Sequence, residues 1–102
     1  MKYLLDGQLS TEAGCFKSYS GFGSFAFEDS ANFTIATCLQ SCKTEGKKFS
    51  IIDAGRICNC ANTLPTSDVV SNSECSYVCS GEAGTEGKCG GNYRWNVHAV
   101  TP

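Results

Sequence analysis

Cysteine is the residue type that offers this chain the most chemistry. Eight of the 102 residues are cysteines, in two C-x-x-x-C pairs, one C-x-C pair and two single positions: Cys38/Cys42, Cys75/Cys79, Cys58/Cys60, Cys15 and Cys89. An even number of cysteines in a short chain is typical of a disulfide framework. We therefore expect four disulfides and an oxidising compartment outside the cytosol.

Two other uses of the cysteines fit the sequence less well. Structural zinc sites permit the C-x-x-x-C spacing, but the C-x-C pair is unusual for them and His98 is the single histidine. Thiol redox catalysis typically uses C-x-x-C, which the sequence lacks. We expect no metal and no cofactor.

Catalysis by other side chains is weakly indicated. The ten carboxylates are scattered, whereas a glycosidase needs two that face each other across a cleft. His98 falls late in a predicted strand, where we expect a partly exposed residue. The net charge of −2 gives no basic stripe for nucleic acid. The prediction is a binding domain that is not an enzyme.

One helix and one hairpin are predicted to position the cysteines. Thr34 is the N-cap candidate, Gly46 the helix-ending residue, and the apolar stripe of the helix is Ile35, Cys38, Leu39 and Cys42. Residues 49–52 and 56–60 read as strands joined by a tight turn at Ala54-Gly55. Helix positions i and i+4 share a face, as do strand positions i and i+2, so both cysteine pairs can meet. Either of two pairings would satisfy this geometry.

The remaining segments are less regular. Residues 61–73 read as a loop, and Asn72 or Ser73 is expected to cap a short helical turn that holds Cys75 and Cys79. Residues 93–100 read as the last strand, with Trp95 in the core. Residues 1–13 carry no cysteine and are interpreted as a loosely ordered leader, and residues 14–100 as one domain.

At this level of detail the chain resembles the WSC domain, the cysteine-rich module of fungal cell-wall stress sensors. The resemblance runs from Gly14 to about Val97 and places all eight cysteines. The segments that carry it are Gly14-Cys15-Phe16, the helix segment 33–42, the hairpin from Gly46 through Gly55-Arg56 to Cys58-Asn59-Cys60, Cys75-Ser76-Tyr77-Val78-Cys79-Ser80-Gly81 and Cys89-Gly90-Gly91-Asn92-Tyr93-Arg94. Three positions that are often aromatic in the family are Lys47, Ala54 and Asn59 here.

The resemblance implies a fold and a disulfide pairing. The fold is a small disulfide-rich α+β domain, PAN/apple-like, with one main helix packed on a short antiparallel sheet. The implied bridges are Cys15–Cys75, Cys38–Cys58, Cys42–Cys60 and Cys79–Cys89.

The resemblance also implies a function: an extracellular module of a cell-wall integrity sensor that holds wall polysaccharide, β-glucan or mannan. Sugar binding needs exposed aromatic faces and planar polar groups, for which the candidates are Tyr19, Phe22, Tyr77, Asn92, Tyr93 and Arg94. Arg56 and Arg94 could equally serve the structure through hydrogen bonds to carbonyl groups. The alternatives are a protein–protein or self-association module of a cell-surface receptor, and an accessory domain of a secreted carbohydrate-active protein.

Further expectations concern cellular location. Asn32-Phe33-Thr34 is an N-glycosylation sequon, a triplet that also arises by chance. The first residues lack the apolar core of a signal peptide, and no stretch approaches a membrane span. We expect an excised ectodomain whose native protein is anchored in the membrane by a segment outside this sequence.

Overall fold

Seven strands and one α-helix form within the part of the chain that the computed structural model describes, which is residues 2–5, 8–17, 23–64, 69–85 and 88–100. In chain order the elements are β1 (Lys2–Leu5), β2 (Gln8–Lys17), β3 (Ser24–Glu28), α1 (Ile35–Thr44), β4 (Phe49–Asp53), β5 (Ile57–Ala61), β6 (Val69–Val70), a 3₁₀ turn (Asn72–Glu74) and β7 (Arg94–Ala99).

The strands form one antiparallel sheet in the order β1-β2-β7-β4-β5-β3, and the short β6 pairs with β2. The predicted α+β class, with one helix on an antiparallel sheet and four disulfides, is confirmed. Residues 2–5 and 8–13, assigned to a leader from the sequence, lie in β1 and the first part of β2. The sequence did not predict these two strands, and the domain boundary before Gly14 stays a prediction.

Helix α1 begins and ends where its sequence predicts. Thr34 accepts a hydrogen bond from the Thr37 N–H at 3.2 Å, and the Thr34 N–H donates back to the Thr37 hydroxyl at 3.3 Å. This reciprocal cap satisfies N–H groups that the first turn leaves without helical partners. After the last turn Gly46 takes a φ of 76°, the left-handed conformation that glycine adopts readily. No helix among the residues described is long and apolar enough to cross a membrane.

The sheet has an apolar layer on each face. On the helix side Ile52, Cys58 and Cys60 pack against the buried stripe of α1. On the opposite side Phe16, Ile51, Ala61, Trp95 and Val97 form a second buried cluster. Trp95 is 5% exposed, so its predicted place in the core is confirmed.

The four disulfides join Cys15 to Cys75, Cys38 to Cys58, Cys42 to Cys60 and Cys79 to Cys89, with Cα–Cα distances of 6.0, 5.5, 5.3 and 5.2 Å. This is the pairing that the family resemblance implies. Two bridges clamp α1 onto β5 and bring the sulfurs of Cys38, Cys42 and Cys58 close together. Because these sulfurs are oxidised, they offer no thiolate to a metal.

Two local expectations from the sequence are wrong. Cys75 and Cys79 do not share a helical turn, because the 3₁₀ turn is capped by Ser71 and ends at Glu74. Cys75 is bonded to Cys15 on β2, and Cys79 to Cys89 in the loop before β7. His98 is fully buried and its Nε2 lies 3.1 Å from the Lys88 carbonyl oxygen. The prediction of partial exposure failed because β7 lies between β2 and β4 in the sheet interior.

Candidate functional site

A shallow groove of about 310 Å³ lies at the tip of the β4–β5 hairpin. The described residues that line this hairpin groove are Asp53, Ala54, Arg56, Ile57, Tyr77, Gly91, Asn92 and Tyr93. The groove thus brings together three of the predicted site residues, Tyr77, Asn92 and Tyr93. Tyr19 and Phe22 lie outside the described residues.

The hairpin tip forms the floor of the groove. Ala54 and Gly55 have φ angles of 55° and 75°, and the Arg56 N–H donates to the Asp53 carbonyl at 3.1 Å. Positive φ at these two central residues lets the chain reverse within residues 54–56, the three that separate the paired Asp53 and Ile57. A Cβ on Gly55 would lie 2.5 Å from the Val78 carbonyl oxygen, so the chain around Val78 rests directly on the tip.

Gly90 and Gly91 let a second loop approach the same point. A Cβ on Gly90 would lie 2.5 Å from the Ile52 carbonyl oxygen, and one on Gly91 equally close to that of Glu74. The Gly90 N–H donates to the Oδ1 of the fully buried Asn96 at 2.6 Å. Because neither glycine has a Cβ, this loop can pass between the end of β4 and the 3₁₀ turn.

The chain around Val78 and the Gly90-Gly91 loop form the two walls of the groove, and they are also bonded to each other. The Tyr77 N–H donates to the Gly90 carbonyl at 3.0 Å, and the Cys79–Cys89 bridge joins the same two segments. The Gly55 N–H donates to the Cys89 carbonyl at 2.7 Å, and the Gly55 carbonyl accepts from the Ser80 N–H at 2.9 Å. The hairpin tip and the two loops thus form one bonded unit, whose backbone is held in place before any ligand arrives.

Tyr93 is 75% exposed, and its φ is 56°. A bulky residue in the left-handed region costs roughly 1–3 kcal/mol, and such strain concentrates at functional sites. Two backbone hydrogen bonds between Gly91 and Arg94, at 3.1 and 3.3 Å, enclose the strained residue. The turn therefore presents an aromatic ring to solvent at a conformational cost.

Arg94 supports this turn. Its Nε donates to Glu74 Oε1 at 2.6 Å, and its Nη1 donates to the Tyr93 carbonyl at 2.8 Å. Arg94 is absent from the groove lining. In the structure this predicted site residue holds the backbone that carries Tyr93.

Two charged groups of the lining add hydrogen-bonding capacity. Burial raises the pKa of Asp53 above the usual 3.8, an effect that the nearby Arg56 charge and the Ala54 N–H only partly oppose. Arg56 donates from Nε to Glu28 Oε2 at 2.9 Å, and both side chains are nearly half exposed. Sequence reasoning missed Asp53, although its place immediately before the predicted turn was an available signal.

The lining combines features that suit a polyhydroxylated ring. Tyr77, 40% exposed, and Tyr93 offer aromatic faces. Asn92, Asp53 and Arg56 offer planar groups that hydrogen-bond hydroxyls in pairs. The shallow shape suits the side of a chain better than a small molecule enclosed on all sides.

Comparison with protein-family models gives a match to the WSC domain over residues 12–91. The match includes all eight cysteines and every described residue that lines the hairpin groove except Asn92 and Tyr93, which directly follow it. At the level of the family this supports an extracellular module of the carbohydrate-binding or sensor type. The chain belongs to the WSC domain family.

Proposed function

We propose that this domain binds cell-wall polysaccharide, β-glucan or mannan, in the hairpin groove. The observation that carries the proposal is Tyr93, whose ring is 75% exposed on a backbone held in the left-handed region. The exposed ring buries little apolar surface on folding, so its burial does not offset the free-energy cost of the strained backbone. Contact with a ligand gives the ring a role.

The groove chemistry favours sugar over the other ligand classes. Nucleic acid would need several cationic side chains along its backbone, and Arg56 is the one cation among the described residues of the lining. Asp53 is likewise the one carboxylate of that lining, whereas glycoside hydrolysis needs two. We infer a binding role without catalysis.

In the native protein we propose that the domain anchors a fungal cell-wall integrity sensor to the wall. A shallow site of this size makes few contacts, so each copy binds weakly. Clustering of many copies on one polymer would raise the overall strength through effective concentration. Membrane anchoring outside this segment would then carry wall tension to the cell.

The test is a titration of the oxidised domain with laminarin and with mannan, followed by calorimetry and by amide NMR shifts. We expect shifts at Tyr77, Asn92 and Tyr93, and loss of binding in Tyr93→Ala. Val69→Ala is the matched control, because Val69 is 69% exposed on β6 and does not line the groove. Absence of any sugar response, with sedimentation that depends on protein concentration, would favour the protein–protein alternative.

A further inference from the structure

Phe25 is an exposed aromatic residue that the hairpin groove does not include. It is 64% exposed and lies on β3, the strand at one edge of the sheet. Among the aromatic residues whose side chains the structure describes, Tyr93 alone is more exposed. Neither the helix nor the second apolar cluster needs it, because both are formed by other side chains.

The strand register connects Phe25 to the groove. Phe25 pairs with Asn59 on β5, and Ile57 is two residues away on the same strand. Residues two apart in a strand share a face, so Phe25, Asn59 and Ile57 lie on one side of the sheet. Ile57 in turn pairs with Asp53, and both line the groove. One continuous surface therefore runs from Phe25 to the groove.

The length of this surface follows from the sheet order. Three strand-to-strand steps separate β3 from β7, which begins immediately after Tyr93. At roughly 4.8 Å a step this gives roughly 14 Å across the strands. Through Asn59 and Ile51 the register also places Phe25 level with Val97, four residues from Tyr93, which adds roughly 13 Å along the strands, so Phe25 and Tyr93 stand roughly 19 Å apart. One sugar ring cannot span both aromatic groups, whereas several linked rings can.

The surface between the two rings is polar. The Arg56–Glu28 ion pair lies there, because Glu28 pairs with Ile57 across the strands. Its Nε–Oε2 distance is 2.9 Å, and both side chains are nearly half exposed. Asn59 is partly exposed beside Phe25. Aromatic groups at the ends with planar hydrogen-bonding groups between them suit a polyhydroxylated chain better than an apolar peptide.

We propose that Phe25 forms a second subsite, so that the domain binds an internal stretch of polysaccharide along the sheet and not a single terminal sugar. This inference rests on the proposed function and deepens it. It specifies the ligand class as a linear chain of several rings.

The experiment measures dissociation constants for β-1,3-gluco- and mannooligosaccharides of two to seven rings. For the wild type we expect affinity to rise with oligosaccharide length until the ligand is long enough to contact both Phe25 and Tyr93. Phe25→Ala should bind the shortest ligand as the wild type does and lose about tenfold with the longest, the loss expected for one aromatic contact. Val69→Ala should match the wild type at every length.

Each other outcome has a separate meaning. If no oligosaccharide of any length binds the wild type, the proposed function fails and the second subsite with it. If the wild type binds but Phe25→Ala weakens no length, or weakens all lengths equally, the second subsite is refuted while the groove stands. If Phe25→Ala instead abolishes self-association seen by sedimentation, Phe25 is a protein contact and the proposal is overturned.

Discussion

Replacing Tyr93 by glycine should separate stability from binding. The left-handed backbone at this position costs an L-residue roughly 1–2 kcal/mol and costs glycine almost nothing. Glycine also raises the entropy of the unfolded chain, which opposes the gain by roughly 0.4–1 kcal/mol. Tyr93→Gly should therefore be more stable than Tyr93→Ala by about 1 kcal/mol.

The sign of the stability difference between Tyr93→Gly and Tyr93→Ala is what tests the reasoning most directly. In regular structure glycine is less stable than alanine by roughly 0.5–1 kcal/mol, so position 93 should reverse the usual order. Gly46→Ala is the converse experiment. Gly46 has a φ of 76°, and an added Cβ would meet no atom within 4 Å. Its destabilisation should measure the cost of a left-handed Cβ in this fold without a clash.

The assay is denaturant and thermal unfolding with the disulfides intact. One kcal/mol corresponds to roughly 4–8 °C in the melting temperature of a domain of this size. Both position 93 variants should lose sugar binding, because both lose the ring. A Tyr93→Gly protein that is less stable than Tyr93→Ala would refute the idea that the backbone is strained there, and with it the main support for the site.

Three further predictions concern the rest of the molecule. Cys79→Ala with Cys89→Ala should cost about 3 kcal/mol by the loop-entropy relation for 10 residues, and should weaken sugar binding even where the protein remains folded, as measured by unfolding and titration. Asp53→Asn should raise the unfolding midpoint at pH 7, because burial raises the pKa of Asp53 and the charged form is the less stable one in the fold. The folded protein takes up this proton first as pH falls, so the advantage should vanish below about pH 3.8, and an advantage unchanged at pH 3 would contradict this cause. In a secretory host the exposed Asn32 should carry an N-glycan, seen as a mass shift that glycosidase removes and that Asn32→Gln lacks; an unshifted mass would refute the site.

The helix and the β4–β5 hairpin could be predicted because their signals are local. A cap residue, an apolar stripe and a terminal glycine lie within 13 residues for α1. The hairpin is marked by Ala54-Gly55 between two β-rich segments. Such signals depend on neighbours in the sequence and hold whatever the rest of the chain does.

The remaining errors come from non-local pairing. The burial of His98 depends on β2 and β4 lying on either side of β7, and β2 is about 80 residues away along the chain. No periodicity within β7 reports whether its polar face will be covered. Asp53 and Phe25 escaped notice for the same reason, since only the folded sheet puts Asp53 beside Tyr77 and Tyr93 and Phe25 on the same side of the sheet as Asp53.

The four disulfides divide by what they hold. Cys38–Cys58 and Cys42–Cys60 join α1 to β5 inside the main core. Cys15–Cys75 and Cys79–Cys89 fix the chain on either side of Tyr77. The segment between Cys75 and Cys79 has almost no regular secondary structure of its own. In a domain with a small core, covalent links can supply what secondary structure does not. Because the loops that carry Tyr77 and Tyr93 are held this way, they can present exposed tyrosines and a strained turn beside the tip of the β4–β5 hairpin.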